Sequence, residues 1–198
     1  MAAIILDIPE HIKPRTVELS LASNTKIFES TFNRSVTTAK FAGDRWQMSL
    51  SFENLYEEID ELASVLFSIG GMSGRLRVPP YHRPGAPAAG IPVVQGADQT
   101  GGLLVTNGWL SNRVVLRAGH FFQVGEELKM LTADAVSDSN GNCTLQFVPW
   151  LRESPDNDAE IITNRPTGIF RLTEDVATMS LSPMNGEVSL ELTEAFYV

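Results

Sequence analysis

The stretch from Ala118 to Leu151, AGHFFQVGEELKMLTADAVSDSNGNCTLQFVPWL, constrains the fold more than any other part of the chain. Its apolar runs are too short for helices and are separated by Gly- and Asn-bearing turns, which is the pattern of an all-β unit. Phe121–Val124 and Leu128–Leu131 read as strands, and Leu103–Val105 and Val114–Leu116 add two more just upstream. Ser137–Asn142, SDSNGN, reads as a hairpin turn because Asn-Gly accepts positive φ at little cost. Several short strands at this spacing predict a small barrel or sandwich.

That unit interrupts another. Residues 15 to 52 alternate, with Val17, Leu19 and Leu21 set against Glu18 and Ser20, and Trp46, Met48, Leu50 and Phe52 against Gln47, Ser49 and Ser51. A period of two over such lengths predicts antiparallel strands with one wet face, turning at Ala22–Thr25 and at Gly43-Asp44. The period then changes. Leu55, Ile59, Leu62, Leu66 and Ile69 share one helical stripe, which predicts a helix over about 54–69, capped by Ser51 or Asn54 and stopped by Gly70-Gly71. Glu57, Glu58, Asp60 and Glu61 lie in its first half, where the helix dipole favours negative charge, and are expected to face solvent. A strand, GRLRV, follows at Gly74–Val78.

From Pro79 to Pro92 the chain holds five of its eleven prolines and can form neither helix nor central strand, so it is expected to be a stiff connector. A polar connector over 153–167 lies on the far side of the β unit. GIFRL at Gly168–Leu172, ATMSLS and EVSLEL then return to alternation through a Met184-Asn185-Gly186 turn. The expected fold is mainly β with one long α-helix (α+β). Residues 1–80 and 165–198 form an antiparallel host domain carrying the helix, and residues 81–164 form an inserted small β-barrel.

A chain of 198 residues can bury roughly 70% of the surface its unfolded form exposes, so it needs no staples. The single Cys143 excludes an intrachain disulfide and is expected to be a buried small residue. With 15 basic and 24 acidic residues the formal charge is −9, the wrong sign for gripping nucleic-acid phosphates over a broad face. No apolar run reaches the roughly 20 residues that span a bilayer. The opening MAAIILDIPEHIKPR has no basic region ahead of its apolar stretch, and the expectation is a soluble chain made in the cytoplasm without a signal peptide.

Chemistry is sparse. His11, His82 and His120 stand far apart and none has metal-type spacing to another ligand, so no metal is expected. Nothing resembles a nucleophile elbow, and GMSGR at Gly71–Arg75 ends a helix rather than opening one, so neither a catalytic residue nor a cofactor is expected. Barrel aromatics are the exception, because small barrels bind sugars or oligonucleotides by stacking. Phe121 and Phe122 belong to this group, and Trp109 and Trp150 are the candidate sugar or partner contacts. Residues 92–164 hold four basic and nine acidic side chains, a balance of −5 that argues against single-stranded nucleic acid.

Taken in order, WQMSLSF, the helix ENLYEEIDELASVLFSI, GRLRVPPY, the AGHFF and GEELKMLTA strands and GIFRL resemble the distal tail proteins of long, flexible-tailed (siphovirus) bacteriophages. The similarity is to the compact form, in which an oligonucleotide/oligosaccharide-binding (OB) type barrel is inserted into a ring-forming domain. AGHFF departs from the Ala-Gly-Asp more usual in that turn, with His120 at the acidic position. The resemblance implies a structural, non-catalytic protein of the virion tail tip: a self-associating ring, hexameric in the family, that joins the tail tube protein to the hub or fibre proteins. The barrel would face outward, toward fibres or host-surface carbohydrate, while DNA passes through the ring without specific binding. A closed ring of heterologous contacts needs two different complementary faces, for which the spare polar strands and the strands bearing Arg75, Arg77 and Arg171 are the candidates. Acidic side chains are expected to line its channel. The alternative is a carbohydrate-binding module or another host-surface adhesion component.

Overall fold

In a computed structural model, described for residues 4–83, 85–87, 89–182 and 185–196, the chain is mainly β with one helix. Strands β1 (Ile5–Asp7), β2 (Thr16–Ala22), β3 (Thr25–Glu29), β4 (Val36–Lys40) and β5 (Arg45–Leu55) precede helix α1 (Glu58–Ser68). A 3-10 turn at Gly71–Ser73 leads into β6 (Arg75–Val78). Next come β7 (Gly90–Val94), β8 (Leu103–Trp109), β9 (Val114–Leu116), β10 (Phe121–Val124), β11 (Glu127–Leu131), β12 (Ala135–Val136), β13 (Cys143–Val148) and β14 (Ile161–Ile162). The chain finishes with β15 (Gly168–Leu172), β16 (Met179–Leu181) and β17 (Gly186–Glu194).

One sheet has the order β1-β6-β15-β17-β5-β2, with β16 also on β17. All its strands come from outside residues 90–162. The long β5 buries Trp46, Met48, Leu50 and Phe52 while its alternate residues face outward, and β2 and β17 flank it in antiparallel register. The edge pair β1–β6 is parallel, which departs from the all-antiparallel expectation. Parallel pairing follows because the chain crosses the whole sheet and α1 between these two strands.

The helix starts later than the expected residue 54. Asn54 adopts φ 57° and carries β5 through a bulge opposite Gly186/Val188, so Leu55 still belongs to the sheet. Neither Ser51 nor Asn54 caps α1; Glu57 occupies the cap position without a side-chain hydrogen bond. Ile59, Leu62, Ala63 and Leu66 face the core, and Gly70 (φ 75°) and Gly71 (φ 65°) stop the helix. Gly186 is where α1 meets the sheet. A Cβ there would lie 1.8 Å from Ile59 Cδ1 and 2.9 Å from its Cγ1, so a larger residue would force the Ile59 side chain to move.

The other large sheet has the order β14-β10-β11-β13-β8-β7. Val93 bridges to Glu160 just before β14, which brings the two edges together and leaves a nearly closed, barrel-like sheet. The SDSNGN segment makes a tight turn, with Gly141 at φ 79° and its N–H donating to Asp138 O, but it does not form the expected hairpin. The strands it joins choose other partners, β12 pairing with β9 and β13 with β8 and β11. Met184 of the expected C-terminal turn, and Pro84 and Ala88 of the proline-rich connector, lie outside the described residues. Asn185 N donates to Ser182 Oγ at 3.1 Å on the described flank of that turn.

Two hydrophobic cores result, and β10–β11 serves both. Phe121 and Leu128 join the core under the first sheet, whereas Phe122, Val124 and Leu131 fill the barrel. Successive side chains point to opposite faces of a strand, so a strand buried on both sides has no wet face, and its polar residues Gln123 and Lys129 are buried as well. Phe121 packs on Trp46 with ring centroids 5.8 Å apart, and Phe122 meets Phe147 edge-on at 5.4 Å. Trp46 Nε1 donates to Leu128 O at 2.9 Å, a hydrogen bond from one sheet to the other.

Candidate functional site

The hairpin β3–β4 stands apart from both sheets. Its strands pair only with each other, from Thr25↔Lys40 to Glu29↔Val36, and nearly every residue is exposed. Ile27, Phe28, Phe32 and Val36 are open to solvent, Phe32 at 98%, and Phe41 follows at the root. Ile27 and Phe28 are neighbours, so they lie on opposite faces of the hairpin, and each face carries an exposed large apolar side chain among threonines and charged residues. A two-stranded hairpin without a packed face is marginal in water, and clustered exposed apolar side chains mark an interaction surface.

Its root, by contrast, is fixed. The buried Asp44 carboxylate accepts the Asn24 N–H at 3.0 Å and pairs with Lys40 Nζ at 2.8 Å. Asn24 Nδ2 donates to Ala42 O, and Phe41 N to Asn24 O, both at 2.8 Å. Burial alone would raise the Asp44 carboxyl, but hydrogen bonds from Lys40 and Asn24 and the charge of Lys40 outweigh it and hold the group below the usual carboxylate range. Lys40 Nζ also lies 5.5 Å from the centroid of the Trp150 ring, so the root touches the barrel.

The outward face of the first sheet is divided by charge. Glu18, Glu187 and Glu191 project from β2 and β17 among Ser20, Gln47, Ser49, Ser51 and Ser189, and Ser49 Oγ donates to Glu191 at 2.7 Å. Arg75, Arg77 and Arg171 occupy the opposite half and are largely engaged within the chain. Arg75 Nη1 donates to the Met72, Ser73 and Gly74 carbonyls, Arg171 Nη1 to Leu172 O, and Arg77 pairs with Asp7 and Glu126.

Between the sheets lies a charged seam. Lys129 is fully buried, paired with Glu127, and donates to Trp150 O at 3.0 Å. Glu127 also accepts the N–H groups of Arg152 and Glu153 at 3.1 Å. Glu194, 4% exposed, accepts the Trp46 N–H at 3.0 Å. Burial pushes the Glu194 carboxyl up, against the Trp46 hydrogen bond and the Lys129 and Arg152 charges. Burial likewise pushes the Lys129 ammonium down, against the Glu127 carboxylate. Beside them, the Arg152 guanidinium stacks 4.2 Å from the Phe196 ring centroid under a cavity of about 350 Å³. Lys129 and Glu194 are buried, Glu127 and Arg152 half-buried, and the four charged side chains span β11, β17 and the chain after β13.

The two candidate tryptophans are separated by burial. Trp109 is 5% exposed within the barrel core, its Nε1 donating to Thr106 Oγ1 at 2.8 Å, and it presents no face for stacking. Trp150 is 41% exposed and does. Nor do the histidines converge: His11 faces Glu61 at 3.1 Å, and His82 Nε2 is 3.1 Å from Pro14 O. His120 Nδ1 accepts the Arg117 N–H at 3.4 Å, the acceptor role that an Asp would fill in the same turn. Burial and then the Asp138 charge raise the Cys143 thiol, which suits a packed residue better than a nucleophile. Among the described residues no group of three His, Cys, Asp or Glu side chains could hold a metal ion.

Sequence reasoning missed the free-standing hairpin and the buried lysine. The second had a visible sign. FFQV and LKML show no polar alternation, so a lysine among them has no wet face to occupy. No protein-family model matches the chain, and no curated protein is significantly similar to it.

Proposed function

We propose that this chain is a structural subunit of a bacteriophage tail tip, which assembles with copies of itself into a ring, hexameric as in the family it resembles. The ring joins the tail tube to the hub or fibre proteins, and the barrel-like sheet, read as an OB-type insertion between residues 80 and 165, is directed outward. The observation that carries this reading is the hairpin β3–β4, exposed along its length with Ile27, Phe28, Phe32 and Val36 open to solvent. A second copy is the occupant that best fits it. The hairpin follows directly on β2, whose outer edge has no strand partner among the described residues, so one neighbouring chain can meet edge and hairpin together.

The polar half of the outward face, with Glu18, Glu187 and Glu191, suits a channel wall that repels DNA instead of retaining it. Negative-stain images of the concentrated protein are expected to show closed rings, and an antibody against the barrel is expected to label one end of the tail on virions. Label spread along the tail or on the head refutes the assignment. The alternative, a carbohydrate-binding module, retains Trp150 as its one accessible tryptophan of the two considered.

A further inference from the structure

One groove runs against the charge of the whole chain. Where the connector leaving the first sheet passes the connector that returns to it, a groove of about 540 Å³ opens between Pro79–Arg83, Gly85, 165–167 and the loop after β1. Gly85 sets its floor. A Cβ there would lie 1.9 Å from Thr163 O and 2.7 Å from Arg165 N, so the two connectors touch backbone to backbone. His82 (φ 60°) and Arg165 (φ 58°) flank the groove in left-handed conformations that non-glycine residues rarely adopt. Such conformations persist only where the surroundings over-determine them, as the contact from His82 Nε2 to Pro14 O does here.

Lys13, Arg77, Arg83 and Arg165 line the groove against two acids, Asp7 and Glu10. Both acids are already engaged, Asp7 by Arg77 at 3.6 Å and Glu10 by Arg165 at 3.0 Å. Among the described residues no carboxylate lies within 4.0 Å of the Lys13 or Arg83 charge. Tyr81 adds a phenol that burial pushes up to about 12, so it remains a hydrogen-bond donor. The groove therefore offers two cations, Lys13 and Arg83, with no carboxylate among the described residues to meet them, and the rings of Pro79, Pro80 and Pro166 line it.

We propose that this groove docks an extended acidic segment of a partner protein, its carboxylates held by Lys13 and Arg83 and its backbone laid along Pro79–Tyr81. A sugar chain is the poorer fit, since stacking needs aromatic faces and the single Tyr81 ring packs partly against the core. Nucleic acid is disfavoured by the −9 charge of the whole chain. The proposal goes beyond ring assembly and stands without it.

Fluorescein-labelled hexaglutamate, hexaglutamine and trigalacturonate titrated into the full-length protein, read by polarisation, test it. Hexaglutamate should bind, hexaglutamine should not, and Lys13→Glu/Arg83→Glu should weaken hexaglutamate by about tenfold or more, each exposed charge contributing modestly. Arg113→Glu/Arg117→Glu, an equal charge change in the barrel, should leave binding unchanged. Far-UV circular dichroism of both variants checks that neither unfolds. Equal binding of hexaglutamate and hexaglutamine, equal loss in the two double variants, or tighter binding of trigalacturonate overturns the assignment.

Discussion

Lys129→Met is the sharpest probe of the seam between the sheets. The methionine keeps most of the stem volume and removes the ammonium, which lies wholly inside the protein between the Glu127 carboxylate and Trp150 O. Removing one partner of a buried ion pair costs about 3–5 kcal/mol, because the other charge is left uncompensated. The lower end applies here. The Glu127 side chain is 18% exposed and keeps the Arg152 and Glu153 N–H donors. A loss of about 3 kcal/mol lowers Tm by about 6–12 °C in a chain of this size. Adding Glu127→Gln removes the stranded charge, so the double variant is expected to be less destabilised than the sum of the singles by about 1–3 kcal/mol. Urea unfolding of the four proteins, fitted with a common m-value, measures both quantities. A cost below about 1 kcal/mol for Lys129→Met, or strict additivity in the cycle, refutes the seam as a coupled charge set.

Asp44 and Glu194 give opposite pH signatures. The Asp44 carboxyl is lowered on folding, so its stabilisation is present above the unfolded value of about 3.9 and is lost as pH falls through the folded one. Asp44→Asn should flatten the acid limb of the unfolding curve. Glu194 is raised, so its contribution is complete below the unfolded value of about 4.3 and is lost as pH rises through the folded one. Glu194→Gln keeps an acceptor for the Trp46 N–H, and urea midpoints should show it gaining on the native chain as pH rises from 4 to 7. Phe28→Asp/Phe32→Asp changes two exposed positions and should shift stability by less than about 0.5 kcal/mol while abolishing rings in negative-stain images; rings that survive count against the hairpin as the contact. Glu187→Lys/Glu191→Lys should slow DNA ejection, and an unchanged rate removes the acidic-channel idea. On a glycan array, Trp150→Ala should abolish any sugar signal and Trp109→Ala should matter only through loss of core packing.

The elements with a clean period were legible and those defined by their surroundings were not. Trp46, Met48, Leu50 and Phe52 announce a half-buried strand, and Ile59, Leu62 and Leu66 a helix stripe, because one face of each meets a core. The start of α1 was misjudged because Leu55 fits both the helical stripe and the bulged end of β5. Likewise, Asn140-Gly141 correctly marked a turn, but the partners of the flanking strands depend on residues far away in sequence. For the tryptophans, composition could not decide, and the fold puts Trp109 inside the barrel-like sheet and Trp150 at its surface. The β3–β4 hairpin shows the same limit, since nothing local in TKIFE says whether Ile27 and Phe28 meet a core or solvent.

The exposed hairpin and the barrel-like sheet share one mechanical root. Asp44 holds Asn24 and Lys40 at the base of the hairpin, Lys40 lies over Trp150, and the Trp150 carbonyl accepts from buried Lys129. Two residues beyond Asp44, Trp46 bonds Glu194 through its backbone and Leu128 through its ring. The Lys40–Trp150, Trp46–Leu128 and Trp46–Glu194 links cross between the segments 24–46, 128–150 and 194, so tilting the base of the hairpin disturbs the seam. A cation–π contact as exposed as Lys40–Trp150 contributes only about 0.5–1 kcal/mol, so the rigidity must come mostly from the buried members, Asp44, Lys129 and Glu194. It follows that a hairpin captured by a neighbouring chain would transmit its orientation to the barrel through buried hydrogen bonds, without needing a hinge in either connector.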